Sequence, residues 1–445
     1  MKHRGRHRRR RRGAALRAAL AGTALALTAT ATIVSASQAT VAEDPGALKP
    51  LTSTAATARL GLREHLVPRR SLDRLASAAG GTVGVADVLQ NADHTLREAA
   101  DCDSGDRDTL PVTPAADEAY CWDPTDTLTD DWRPASVTTS SDADDDGLWG
   151  ANRVVLAGWT HSTTSGPAAS RGLARIAVVD ANDPAHPTYA WVLLTVPSAD
   201  GGTYRGLTSQ ISGMAWYENK LLVTTTLGSA DALYVYDLNR IQRTSVLTDA
   251  VGRVRGGWSA DGFRYAMPAV GWYSFAAGAC SGDGAPCPSA LSVDRGTSPD
   301  SLVLGEWTTA GGDRRAARLW RYAFDERPAR AGLLATDAAG RVGAVEAYRT
   351  GASEIRGVLS YRPPGATGSE WYVGHLPGAM DGHGSLWRQD TDGAHGSRCG
   401  SDASHRCWAA GTGSLSYASD TGEVWSISER MLFSTPLRSI DASLR

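Results

Sequence analysis

Five polar side chains stand where short, Gly/Ser-rich strands are expected to begin: Gln210, Arg264, Glu354, Arg356 and Ser414. If those strand starts converge, Glu354 lies beside two arginines, and neighbouring positive charge keeps a carboxylate ionised. Such a group suits holding a polar or anionic small ligand or a sugar. It suits general-acid catalysis poorly, because that needs a raised pKa. The same residue types also make a structural ion-pair network between neighbouring sheets. A second constellation is Asp142-Ala-Asp144-Asp-Asp146-Gly147, which starts like a calcium-binding loop. Alternate carboxylates wrap an ion there and the glycine permits the sharp turn. The twelfth position, however, is Arg153 and the ninth Gly150, so a solvated acidic loop is the competing reading. The third is His375 and His383, which flank Pro377, Gly378 and Gly382, with Asp381 in the Asp381-Gly-His383 run. These are metal or acid/base residue types, although a turn ahead of a Leu386-Trp387 strand accounts equally well for the glycines. No nucleophile elbow, phosphate loop, zinc-protease helix motif or dinucleotide fingerprint occurs.

The elements that must position these residues are read from texture. Every aromatic residue lies at or after Tyr120, and the chain holds 14 Trp, 13 Tyr and 4 Phe. Aromatic side chains favour pleated surfaces and bury the most area per residue, so the body is expected to be all-β. Five antiparallel meanders are legible, near Ser136–Val196, Ile211–Leu247, Phe263–Phe324, Ile355–Trp387 and Gly413–Phe433. In the second, Arg243 to Leu247 is a weak fourth strand. Such radial repetition predicts a β-propeller of five blades, or six if the 263–324 unit is split. A β-sandwich without circular symmetry is the alternative. The last unit shows three clear strands, and a strand from the segment just before Ser136 would close the ring. Most Trp residues are expected between blades.

The first 131 residues read differently. Lys2, Arg4, Arg6 and Arg8 to Arg12 precede an uncharged apolar stretch, Ala18 to Val34, and a small-residue cleavage site at Val34-Ser-Ala36 or Ser37-Gln-Ala39. This predicts a secretory signal over residues 1–36 and a mature extracellular protein, with a retained anchor as the alternative. Residues 37–131 are expected to be a flexible lead-in followed by two or three short helices. Leu62 and Leu66 lie four apart, Leu72 and Leu75 three apart, Val85, Val88 and Leu89 fall on one helical face, and Leu96 lies a heptad beyond Leu89. The propeller domain then spans 132–445. Removal of residues 1–36 deletes nine basic and no acidic residues, so a net charge of −3 becomes −12. An acidic mature body argues against nucleic acid and anionic membrane as partners. The six cysteines fall as close pairs, Cys102/Cys121, Cys280/Cys287 and Cys399/Cys407, and local disulfides in that order are expected of an exported chain.

Four stretches carry a family likeness: Trp132-Arg-Pro-Ala-Ser-Val-Thr-Thr-Ser-Ser-Asp142, Ser212-Gly-Met-Ala-Trp-Tyr with Leu-Tyr-Val-Tyr-Asp-Leu, Ser292-Val-Asp294 with Ser301-Leu-Val-Leu-Gly305, and Leu415-Ser-Tyr with Glu-Val-Trp-Ser-Ile-Ser-Glu429. Over residues 130–430 the chain resembles a group of secreted actinobacterial proteins of uncharacterised function with propeller-like bodies. The resemblance implies a fold more than an activity. At three inner-strand starts this chain carries Gln210-Ile-Ser-Gly213, Arg356-Gly357 and Gly413-Ser414, where the group tends toward His-Ala-Gly-Gly, Gln-Gly and Glu-Asp. The function expected is a non-enzymatic binding module for a polar small molecule, glycan or protein at the channel mouth. The alternative is a calcium-dependent hydrolase or lactonase of the propeller type, which needs a Glu/Asn/Asp set around an axial ion; the expected strand starts offer Glu354 as the one clear carboxylate. No cofactor is expected, and the partner is an unidentified extracellular ligand.

Overall fold

The computed structural model describes residues 44–127, 131–225, 231–276, 278–280, 284–309, 316–366, 368–376, 382–400, 404–411 and 413–444. The expected export signal lies outside these residues. Four antiparallel strands make each of five meanders. The first is Trp132–Thr139, Val154–His161, Ala174–Asp180 and Thr188–Pro197. The second is Met214–Tyr217, Lys220–Thr224, Asp231–Asp237 and Tyr265–Phe275, the third Pro288–Asp294, Ser301–Glu306, Ala317–Ala323 and Glu346–Thr350. The fourth is Ile355–Tyr361, Glu370–His375, Ser385–Gln389 and Ala394–Gly396. The fifth is Leu415–Ala418, Glu423–Ile427 and Met431–Pro436, completed by Glu118–Cys121, which pairs antiparallel with Met431–Ser434. The ring is thus closed by a strand from upstream of Ser136, but one drawn from within residues 37–131, since the residues just before Ser136 belong to the first meander's own Trp132–Thr139.

The first strands of successive meanders pack side by side, and the fifth returns to the first, so the ring closes on itself. Residues within a strand alternate between the two neighbouring sheets. Val155, Ala157 and Trp159 join the fifth meander's Trp425 and Ile427, while Val154 and Leu156 join Trp216, Leu221 and Tyr236 of the second. Further apolar clusters fill the seams between meanders two and three, three and four, and four and five. Each seam therefore has its own core, whereas two stacked layers would share one. This explains why strands such as Val154–His161 are buried at every position and read as unbroken apolar runs. The result is a propeller-like ring.

The segment before Trp132 laces the outside of that ring. Leu48 donates its N–H to Asp390 O and Gln389 Nε2 donates to Gly46 O, beside the fourth meander. Lys49–Pro50 pairs with the outer strand of the third, Leu62–Leu66 with that of the second, and His94–Thr95 with that of the first. Glu118–Cys121 then reaches the fifth. A free sheet edge exposes unpaired N–H and C=O groups, and this belt covers those of the third, second, first and fifth meanders in turn. Short helices at Arg69–Ala78 and Val85–Leu89 bury Leu72, Leu75, Val85, Val88 and Leu89 as expected. Leu62 to Leu66, expected as helix, is strand. A spacing of four also returns a side chain to the same face of a strand, and the open edge of Tyr265–Phe275 supplies the hydrogen bonds.

Two boundaries differ from expectation. Tyr265–Phe275 does not start a meander; it is the outer strand of the second. Its first four residues run parallel to Val192–Thr195, and from Ala269 it pairs antiparallel with Asp231–Asp237. The weak fourth strand expected at Arg243–Leu247 shrinks to Gln242–Arg243, followed by an inserted hairpin, Val251–Val254 and Gly257–Ala260. All three disulfides join the local pairs, with Cα–Cα separations of 6.0, 4.3 and 5.6 Å for Cys102–Cys121, Cys280–Cys287 and Cys399–Cys407. Among the described residues no helix is long and apolar enough to cross a membrane.

Candidate functional site

The innermost strands are fastened by serine hydroxyls. Ser136 Oγ donates to Ile211 O at 2.6 Å, linking meanders one and two, and Ser289 Oγ donates to Ile355 O at 2.6 Å, linking three and four. Ser414 Oγ accepts from Val137 N–H at 2.6 Å and donates to Val137 O at 3.1 Å, linking five to one. At Gly213 an added Cβ would lie 2.7 Å from Leu291 N, and at Gly357 2.7 Å from Gly413 O. A side chain at either place would drive neighbouring backbones apart. Small residues therefore start these strands because the backbones nearly touch, and Ser414, fully buried, is occupied as a fastener.

The five residues expected to converge separate into different environments. Gln210 is exposed on the approach to Met214–Tyr217. Arg264 sits on the periphery: it precedes the outer strand Tyr265–Phe275 and pairs with Asp93 at 3.5 Å, next to the belt strand His94–Thr95. Its expected place at the rim rests on taking Phe263–Phe275 as an inner strand, and is corrected with it. Glu354 and Arg356 do lie together, at the start of Ile355–Tyr361, with Glu354 favouring the charged form of Arg356. Glu354 has a φ of 53°, a left-handed conformation unusual for a side chain with a Cβ. It is held because its N–H donates to Thr308 O at 2.8 Å and its carbonyl accepts from Leu376 N–H at 3.4 Å.

Three neighbours complete this rim. The Arg356 guanidinium lies over the Trp307 ring, 4.7 Å from its centre, where the ring's negative face attracts it. Burial lowers the Arg356 pKa, with the Glu354 charge opposing. His375, paired in register with Ile355 and Ser385, is 3% exposed. Burial drives its pKa down to about 4, helped by the Arg406 charge, so the ring is neutral. A loose hydrogen-bonding contact with the Ser353 backbone, outside good geometry, opposes part of that shift. Among the described residues, however, neither ring nitrogen meets hydrogen-bond geometry, nor does the adjacent Ser385 Oγ. Buried polar atoms ordinarily find partners, so the pair is an unsatisfied donor and acceptor set. His383, in contrast, is engaged through Nε2 with Leu110 O at 3.0 Å; Asp381, Pro377 and Gly378 lie outside the described residues. The sequence singles out His375 but places Trp307 among the seam aromatics. The available signal is the position of Trp307 just past Ser301–Glu306, at the same end as Ile355.

The acidic loop stands at the opposite end of the inner strands and does not assemble a calcium cradle. The Asp142 carboxylate is buried and accepts from Thr138 Oγ1 at 2.7 Å and Ser416 Oγ at 2.6 Å. Asp146 Oδ1 accepts from Leu148 N–H, and Asp144 is exposed. Arg295 bonds the Asp142 carbonyl at 2.8 Å and Asp145 Oδ1 at 2.6 Å. A fixed cation thus occupies the loop, and its carboxylates point apart. Among the described residues no group of three His, Cys, Asp or Glu side chains is arranged to hold a metal ion. The loop instead buries a carboxylate on the hydroxyls of two inner strands, and burial raises its pKa to about 6.

No family model matches the chain, and no curated protein matches it. Among solved structures, the chain is similar to Drosophila Plexin A in complex with Semaphorin 1b, at 11% identity over 78% of this chain and 88% of that one, with a TM-score of 0.25. It is also similar to Drosophila Semaphorin 1b, extracellular domains 1-2, at 11% identity over 64% of this chain and 53% of that one, with a TM-score of 0.18. These are loose likenesses, and the ring described above rests on strand pairing and seam packing alone.

Proposed function

We propose that this chain is an exported five-bladed β-propeller acting as a binding module. It takes a polar ligand carrying an anionic group, such as an acidic sugar, at the rim formed by Trp307, Glu354, Arg356 and His375. What carries the reading is His375: a buried, neutral imidazole with neither nitrogen in hydrogen-bond geometry among the described residues, on the strand paired with Ile355, next to which Arg356 lays its guanidinium over an indole. The guanidinium supplies charge and a planar fork for a carboxylate. The indole supplies an apolar face, and the imidazole and the Glu354 carboxyl supply partners for hydroxyls. The one hydroxyl paired in register with His375, Ser385 Oγ, is not hydrogen-bonded to it, which favours binding over turnover. The three disulfides and the acidic body fit an extracellular setting.

The test is titration with sodium glucuronate and with glucose, followed by calorimetry and by the His375 imidazole nitrogen resonances. Glucuronate is expected to bind and to shift those resonances, glucose to bind more weakly, and Arg356→Met to remove the preference. Unmoved His375 resonances with both sugars would overturn the assignment of this rim.

A further inference from the structure

The seam where the ring closes contains a cavity of about 240 Å³. One wall is the belt strand Glu118–Cys121 with Glu423, Trp425 and Leu432 of the fifth meander. The other is Arg153, Val154, Val155 and Val179 of the first. The walls are mostly apolar, and the charged groups facing in are few. Arg153 is held by Asp420 at 2.7 Å, and Asp420 also accepts from Ser141 Oγ. Glu118 accepts from Tyr120 Oη at 3.2 Å. Glu423 has no cation of its own beside it at salt-bridge distance among the described residues. Its pKa is raised by burial and then by the charges of Glu118 and Asp117, with the Ser434 hydroxyl and the Arg153 charge opposing. Two carboxylates on the fifth-meander wall therefore face an apolar hollow, and the guanidinium on the opposite wall, Arg153, is bound to Asp420.

We infer that this cavity binds a small organic cation, whose charge lies between Glu118 and Glu423 and whose apolar body lies against Val155, Val179 and Trp425. The volume is below the roughly 300–1,000 Å³ of drug-sized sites, which limits the occupant to a small amine. Charge selects it: an anion meets two carboxylates, and a neutral molecule leaves their repulsion unrelieved. Because the walls come from residue 118 at one side of the closure and from residues 153–179 at the other, an occupant bridges the joint. Binding to the folded state alone then stabilises the ring by mass action. The site is separate from the Arg356 rim and stands or falls independently of it.

The experiment uses three probes of one shape: 2-phenylethylammonium, 2-phenylethanol and 3-phenylpropanoate. Calorimetry and thermal melting are run on the mature protein, with Glu423→Gln and Glu118→Gln variants. The ammonium is expected to bind about tenfold or more tighter than the alcohol, to raise the melting temperature, and to lose about tenfold in affinity in Glu423→Gln, with the propanoate not binding. If Glu423→Gln fails to fold, the same loss is read in Glu118→Gln. Equal affinity for the ammonium and the alcohol, or unchanged ammonium affinity in both variants, would overturn the inference.

Discussion

Ser414 holds both the N–H and the C=O of Val137, at 2.6 and 3.1 Å. One hydroxyl thereby satisfies two backbone groups across the junction of the last and first meanders. Ser414→Ala leaves both buried and unpaired, and is expected to cost about 1–3 kcal/mol. Urea midpoints check this against Ser165→Ala, an exposed control expected to stay within about 0.5 kcal/mol. Equal midpoints for the two variants would show that the hydroxyl does not fasten the ring.

Asp142 gives a pH signature. Its carboxyl titrates at about 6 in the fold against 3.8 ordinarily, because burial disfavours its charge. Between those values the folded state holds more protons than the unfolded one, so this group's contribution to stability is fullest below about pH 4 and falls as pH rises through 6. Asp142→Asn removes that fall. Relative to the parent, the variant is expected to gain stability on the order of 2–3 kcal/mol between pH 4 and pH 7. Parallel pH profiles for variant and parent would contradict the assignment.

Much of this ring is legible in the sequence. Alternation with both faces apolar marks strands sandwiched between sheets, so the meanders around Val154–His161 and Lys220–Thr224 stand out, as does the three-stranded last unit that needs a partner. The cysteine pairs are legible because their short spacings match local loops. Two things are not. The identity of the outer strand Tyr265–Phe275 depends on an inserted hairpin, and its texture matches that of an inner strand; Arg264 is carried to the wrong end with it. The belt escapes because short edge strands such as Lys49–Pro50 and His94–Thr95 have no period of their own, and their conformation is dictated by the edge they cover. At the rim, His375 is visible as a residue type, but only burial reveals that it is neutral and unsatisfied.

Gly213 tests how closely the inner strands approach. An added Cβ meets Leu291 N at 2.7 Å, and backbone cannot swing away as a side-chain tip can. Gly213→Ala is expected to destabilise by about 1–3 kcal/mol, read as a lowered urea midpoint. Gly343→Ala, where nothing lies within 4 Å, should be close to neutral. A neutral Gly213→Ala would mean the strands are farther apart than described.

Cys102–Cys121 ties the belt to the strand that completes the fifth meander. Replacing both with serine opens a loop of 19 residues and is expected to cost about 3 kcal/mol in the chain-entropy picture. Hydrogen exchange at Glu118–Cys121 should rise more than at Val154–His161. Uniform protection across both strands would argue that the bridge does not secure the closing strand.

The lacing of all five sheets by residues 46–121 sets an order of events. These residues are made before any of the edges they cover, and the strand they contribute last joins the sheet made last. The head of the chain must wait, unpaired, until the tail arrives. Until then Glu118–Cys121 and the edge of Met431–Pro436 both stay open to a neighbouring molecule, so the danger of intermolecular β-pairing there ends only when the full length is free to fold at once.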